Sequence, residues 1–262
     1  MPVLDFIAWT LLVLWASLQA GGLLLRRSRA RTRSIPSWIQ TASALTLLLM
    51  AWYGYLLTRA GTDGARYALG VAAAITFSLI GGKLVAGSSA LRRTNYGISL
   101  TAVSYLLFAG AIAQYGAGFG SVRLYVLIPW LLAGVLVGRA VLLWKRRGDP
   151  LQASAAVAYT LLLFTASGFA TGLAITAPRF GVLAVGALLL VFSDLVQLFE
   201  LSSSPSWLPD SQPSGTGNRR RLLPWSGNAT QLLRPPAHAL IVVSIWSALQ
   251  NPIGVQFSVF GA

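Results

Sequence analysis

Eight apolar segments of helical length constrain this chain more than any other feature. They fall at approximately 3–25, 38–58, 67–86, 96–114, 124–144, 153–175, 180–201 and 236–256, and all but one of the connections between them are short. A run of ~20 mainly apolar residues, rising ~1.5 Å per residue, crosses a ~30 Å hydrocarbon core. Inside lipid every backbone polar group must be satisfied within the protein, which leaves the α-helix as the spanning element here. The expected fold is therefore all-α, a polytopic integral membrane protein in which residues 1–262 form one transmembrane domain, a bundle of eight helices.

Composition agrees with that reading. Only 10% of residues are charged and 55% are hydrophobic, with a mean hydropathy of +0.68, whereas a soluble domain carries about 25% charged residues. With no cysteine there is no disulfide framework, thiolate metal site or cysteine nucleophile, and the single histidine, His238, cannot build a histidine metal cluster. No metal or cofactor is therefore expected. Asp5, with no basic residue before the first apolar run, points to a membrane helix rather than a cleaved signal peptide.

The net charge of +14 would suggest nucleic acid in a soluble protein, but its placement gives another explanation. Basic residues concentrate in alternate connections. The first has Arg26, Arg27, Arg29, Arg31 and Arg33, and the third Arg92 and Arg93. The fifth has Lys145, Arg146 and Arg147, and the seventh Arg219, Arg220, Arg221 and Arg234, against only Arg59, Arg66, Arg123 and Arg179 in the even ones. The positive-inside rule places the odd connections in the cytoplasm and both termini outside, as in a plasma membrane of bacterial type. The expected partners are membrane lipids and not nucleic acid. The long seventh connection, Ser202–Pro235, is rich in Ser, Pro and Gly and reads as a cytoplasmic loop, within which Asn228 of "NAT" is discounted as a glycosylation acceptor. Trp38, Trp130 and Trp144 near span ends read as interfacial anchors.

One acidic residue lies deep in an apolar run. In "GALLLVFSDLVQLFE", residues 186–200, Asp194 lies about 14 residues into the seventh span, roughly 21 Å into the core and in its cytoplasmic half. An aspartate at a helix centre costs about 2.5–3.5 kcal/mol on insertion scales, so it should face the bundle interior and find partners. Gln197 shares its helix face. Aligning "GVAAAITFSLIGGKLV" (residues 70–85) with "VLAVGALLLVFSDLVQ" (residues 182–197), at an offset of 112, sets Gly82 opposite Asp194 and suggests a weak 4+4 internal repeat. Lys83, beside Gly82, is the obvious counter-ion. Ser78 and Gly82 share one face of the third span, while Thr165, Ser167, Thr171, Gly168 and Gly172 supply small and hydroxyl residues on the sixth.

At these residues the chain resembles the YhhN family, the membrane lysoplasmalogenases. "FSLIGGKLVAG" is similar to that family's third-span motif, Ser-Leu-x-Gly-Asp, and "GALLLVFSDLVQLFEL" to its seventh-span Ser-Asp motif around Ser193–Asp194. "YGISLTAVSYLLFAGAI" looks like its fourth span and "PPAHALIVVSIWSAL" like its last, so the resemblance covers most of the chain in order. It implies hydrolysis of the vinyl ether of a lysoplasmalogen to a fatty aldehyde and a glycerophospho-headgroup, by two intramembrane aspartates. Two carboxylates in unlike environments suit that chemistry, one protonating the enol ether and the other handling water. Only Asp194 carries over. Gly82 stands where the second aspartate would be, Tyr105 where the fourth-span histidine would be, and the Lys-Pro motif usual near the second span is not evident in "SIPSWIQTASALTLLLMAW". A glycine transfers no proton, and an ammonium close to Asp194 would favour its charged form, which is a base and not the acid the reaction needs. Catalysis would then involve Asp194 with Tyr105 or His238, around a pocket of Ser78, Gly82, Lys83, Ser193 and Gln197. The alternatives are an inactive lipid- or small-molecule-binding protein on the same frame, or a transporter using Asp194.

Overall fold

A computed structural model describes residues 2–28, 35–58, 60–86, 91–115, 122–144, 150–203 and 226–250. These residues form eight α-helices: α1 (Pro2–Ser28), α2 (Ser37–Leu56), α3 (Asp63–Ala86), α4 (Leu91–Tyr115), α5 (Val122–Trp144), α6 (Pro150–Thr176), α7 (Gly181–Ser203) and α8 (Ser226–Gln250). A single turn of 3₁₀-helix, Pro178–Phe180, leads into α7, and among the described residues there is no strand. Six stretches are long and apolar enough to cross a membrane: Phe6–Leu25, Asp63–Leu84, Tyr96–Tyr115, Val157–Thr176, Pro178–Leu198 and Leu232–Leu249. Helix α5 contributes a shorter apolar stretch, Tyr125–Ala140. In α2 the polar residues Ser37, Gln40, Thr41, Ser43 and Thr46 dilute the leucines.

Exposure has the pattern of a chain solvated by hydrocarbon. Phe6, Trp9 and Leu24 on α1, Tyr125, Leu132 and Leu136 on α5 and Phe192 on α7 point outward, while Tyr67, Tyr105, Thr160, Ser193, Asp194 and Ser244 are buried. A soluble protein rarely exposes so many large apolar side chains together. In lipid, helices associate through close packing and hydrogen bonds between them. Gly81 of α3 illustrates the packing: a Cβ there would come within 2.6 Å of the Gly97 carbonyl oxygen on α4. The interhelical hydrogen bonds include Gln19 Nε2 to Ser43 Oγ (2.5 Å) from α1 to α2, Trp52 Nε1 to Thr76 Oγ1 (3.2 Å) from α2 to α3, and Tyr67 to Ser244 (2.6 Å) from α3 to α8.

Consecutive helices form antiparallel pairs, α1 with α2, α3 with α4, α5 with α6 and α7 with α8. The pairs join through α2·α3, α6·α7, α4·α6, α2·α8 and α3·α8, so that α1 and α5 flank a core built by the other six helices. Their side chains meet in one apolar cluster that includes Tyr67, Tyr105, Phe108, Leu163, Phe180, Leu190 and Val242.

The structure corrects one boundary in a way that matters for the site. The expected loop over 202–235 is helical from Ser226 onward, ten residues before the expected start of the eighth span, and α8 runs through Pro235 and Pro236. Proline lacks the amide hydrogen and normally breaks a helix. In membrane helices neighbouring segments can compensate for the lost bonds. Arg234, expected in the loop, is therefore the residue of α8 just before the proline pair. Residues 204–225 of that loop, the basic residues Arg29, Arg31, Arg33, Lys145, Arg146, Arg147, Arg219, Arg220 and Arg221, and positions 251–256 of the eighth span lie outside the described residues.

Candidate functional site

Asp194 is on the inward face of α7. Its side chain is 0% exposed, whereas Phe192, two residues earlier, is 64% exposed. From Phe180, 14 residues earlier on the same rising axis, Asp194 is about 21 Å into the bundle. Three other helices converge on its carboxylate. Tyr105 from α4 and Tyr159 from α6 both donate their phenolic hydrogens to Oδ2. The two phenolic oxygens are 3.5 Å apart and the rings meet edge to face, with centroids 5.5 Å apart. On the other side Arg234 from α8 brings its Nε to 4.0 Å from Oδ1. One carboxyl group is thus held between two phenols and a guanidinium, the kind of pairing that a buried polar group needs in an apolar interior.

Arg234 is itself fixed. Its Nη1 donates to Gln197 Oε1 at 3.0 Å, and Gln197 is one helical turn beyond Asp194 on α7. Gly82 of α3 stands beside the guanidinium, where an added Cβ would make ordinary van der Waals contact at 3.7 Å from both Cζ and Nη1. One turn along each helix, Ser78 of α3 and His238 of α8 are linked through Oγ and Nε2 at 3.0 Å, both buried. The α3–α8 interface thus carries the Ser78–His238 contact and, further along, that of Tyr67 with Ser244, and it sets Gly82 beside Arg234.

The placement of the expected residues is mixed. Asp194, Tyr105 and Gln197 come together, and Gly82 stands against the same guanidinium. His238 meets Ser78 one turn from Arg234. Ser193 is fully buried, and its hydroxyl has no hydrogen-bond partner among the described residues. The Asp194–Lys83 pair is not formed. Lys83 follows Gly82 by a step of about 100° around α3, which turns it away, and its ammonium donates to Thr41 Oγ1 of α2 at an exposed position. Arg234 takes the counter-ion role instead. The hydroxyls of α6 do not line the site either: Thr165, Ser167 and Thr171 bond to carbonyls of their own helix, Leu161, Leu163 and Ser167, at 2.7–2.9 Å. Gly168 serves packing, since a Cβ there would come within 2.8 Å of Leu127 on α5.

Sequence reasoning missed Tyr159 and Arg234. A tyrosine near the start of an apolar span reads as an interfacial anchor, and an arginine ahead of two prolines reads as the end of a loop. The available signal was the isolated charge of Asp194, which demanded a partner on a neighbouring helix. No family model, curated protein or solved structure matches this chain.

Proposed function

We propose that this chain is a multi-pass membrane protein of the YhhN type whose buried Asp194 site receives the polar part of a single-chain phospholipid. The observation that carries the reading is the convergence of Tyr105, Tyr159 and Arg234 on a fully buried carboxylate. A leucine at position 194 would pack α7 without the ~2.5–3.5 kcal/mol that an aspartate costs there, so a polar centre drawn from four helices points to a ligand. Neighbouring Gln197, Ser78 and His238 add donors and acceptors suited to a hydrated headgroup or glycerol backbone.

The arrangement favours holding a ligand over protonating one. Vinyl ether hydrolysis adds a proton to the enol ether carbon and water to the resulting cation, giving an aldehyde and an alcohol. Asp194 Oδ2 already accepts hydrogen bonds from two phenols, so that oxygen has no proton of its own to present to a ligand. A second reading keeps the hydrolase. The hydrogens on Tyr105 and Tyr159 are the proton source nearest the carboxylate, and Asp194 Oδ1, which has no hydrogen-bond partner among the described residues, could orient water. His238, paired with Ser78, takes no part at Asp194 in either reading.

The two readings separate in one experiment. Purified protein in lipid nanodiscs is equilibrated with a lysoplasmalogen, and bound lipid and released aldehyde are measured in parallel. Saturable binding without aldehyde supports the binding protein. Aldehyde release that is lost in Asp194→Asn supports the hydrolase, and absence of both removes the lipid-directed reading.

The proposal includes the finer architecture: eight spans, odd connections cytoplasmic, and two halves of four helices. The packing partners support the repeat, because shifting every helix number by four turns α1·α2, α2·α3, α3·α4 and α2·α8 into α5·α6, α6·α7, α7·α8 and α6·α4. The chain has no native cysteine, so Ala60→Cys and Gly148→Cys test the orientation by labelling with an impermeant maleimide. Labelling of intact cells at position 60 and not at 148 is expected, and the reverse refutes it.

A further inference from the structure

We infer that the Nε and Nη2 edge of Arg234, together with Asp194 Oδ1, forms a seat for one hydroxyl group of the bound amphiphile. The inference rests on the lipid-binding reading of the same site and specifies which chemical group the site recognises.

Eight buried side-chain nitrogen and oxygen atoms have no hydrogen-bond partner among the described residues, and three of them meet here: Asp194 Oδ1, Arg234 Nε and Arg234 Nη2. Buried polar atoms are normally paired, and a cluster of exceptions calls for an explanation, which a bound ligand supplies. The three belong to one geometric unit. In a guanidinium, Nε and Nη2 present two parallel N–H bonds along one edge. The remaining nitrogen, Nη1, is taken by Gln197, so the group cannot turn that edge away without breaking a 3.0 Å hydrogen bond. Asp194 Oδ1 is 4.0 Å from Nε, too far for a direct hydrogen bond and suited to a bridge. An oxygen about 2.8 Å from each of two atoms at that separation subtends an angle of roughly 90° between them, within reach of ordinary hydrogen-bond geometry.

The count of donors and acceptors selects the occupant. The seat offers two N–H donors and one free carboxylate oxygen. An alcohol oxygen has two lone pairs and one hydrogen. It accepts from Nε and Nη2, donates to Oδ1, and directs its carbon outward. A water molecule in the same position has a second hydrogen with no acceptor assigned, which is costly where little water reaches. A phosphate or carboxylate suits the guanidinium edge, but it would bring negative charge beside Asp194 and repel it. Gly82 of α3 stands toward the Nη1 end of the guanidinium, where an added Cβ would be 3.7 Å from Cζ and Nη1.

The test compares ligands that differ at one atom. Full-length protein in nanodiscs is titrated with a radiolabelled 1-alkyl lysophosphatidylcholine, its 2-O-methyl ether, 1-monoacylglycerol and inorganic phosphate. The free hydroxyl should strengthen binding at least ~10-fold over the methyl ether, the loss expected for one hydrogen bond to a charged group. Monoacylglycerol should compete, whereas millimolar phosphate should not. Arg234→Lys, which keeps the charge and removes the paired N–H edge, should bring the hydroxyl and methyl ether forms to within ~3-fold of each other. Equal affinity of hydroxyl and methyl ether forms in the wild-type protein overturns the inference and leaves lipid binding intact. Displacement by phosphate without competition from monoacylglycerol overturns it in favour of an anion seat. Failure of every lipid to bind removes the lipid-binding reading along with the inference. The wild-type comparison decides the matter even if Arg234→Lys fails to fold.

Discussion

Removing one partner of the Asp194–Arg234 pair should destabilise the bundle more than removing both. Arg234→Met leaves the carboxylate fully buried, supported only by the phenols of Tyr105 and Tyr159. Breaking a buried pair by deleting one member costs about 3–5 kcal/mol, and the 0% exposure of Asp194 places this change toward the upper end. Asp194→Leu leaves the guanidinium instead. Arg234 is 14% exposed and has a long stem, so it can carry its head toward water, and the expected loss lies toward the lower end, about 3 kcal/mol. In the double variant no charge remains, and the phenolic oxygens, already 3.5 Å apart, can bond to each other. Apolar residues in place of a buried ion pair are often neutral or better. The double variant should therefore be more stable than either single variant, with a coupling of at least ~2 kcal/mol, near the top of the range for residues in one network. Unfolding in mixed micelles, followed by far-UV circular dichroism, measures all three. Losses that simply add, or single variants within ~0.5 kcal/mol of wild type as for surface changes, would show that the two groups do not act on each other and that the site is misdrawn.

Three further outcomes follow from the same geometry. Tyr159→Phe removes one of the two phenols on Asp194 Oδ2 and should cost about 1–3 kcal/mol in the same unfolding assay, whereas no loss would separate Tyr159 from the carboxylate. Lys83→Met, at the exposed contact with Thr41, should fall within ~0.5 kcal/mol of wild type, and a loss as large as that of Arg234→Met would restore Lys83 as the counter-ion. Gly82→Asp sets a carboxylate beside the Arg234 guanidinium, where a Cβ fits at 3.7 Å. It should be at least ~1 kcal/mol more stable than Gly82→Lys, which sets like charges together, and the opposite order would contradict the placement of Arg234.

The all-helical fold, the inward orientation of Asp194 and its shared face with Gln197 were legible in the sequence, because each follows from local rules, whereas Tyr105 came from the family resemblance. Apolar length marks a membrane helix, an aspartate in mid-span needs partners inside the bundle, and residues three apart share a face. The partner of Asp194 was not legible. Lys83 is nearer to Gly82 in sequence, and the repeat made it attractive, yet a single step around α3 turned it toward α2. Arg234 was hidden because Pro235 and Pro236 carry a local rule, that proline starts or ends a helix, which the packing of α8 against α3 and α7 overrode. Tyr159 carried no local signal; its role depends on how α6 meets α4 and α7, a tertiary fact.

The charge pair between α7 and α8 also bears on how the chain enters a membrane during synthesis. The Pro178–Leu198 stretch of α7 has the highest mean hydropathy of the six, 2.1. Its twelve Leu, Val and Phe residues contribute roughly −4 to −7 kcal/mol to insertion, enough to carry one aspartate at about +3 alongside Arg179 at the end of the stretch, where a charge costs less. The Leu232–Leu249 stretch, at 1.4, has eight Leu, Ile and Val residues, worth roughly −2 to −5 kcal/mol against an arginine of similar cost to the aspartate. Helix α7 can thus leave the translocon alone, while α8 is close to balance and gains a waiting acid when it arrives. Order of emergence from the ribosome then becomes part of folding, with the earlier helix serving as the template for the later one.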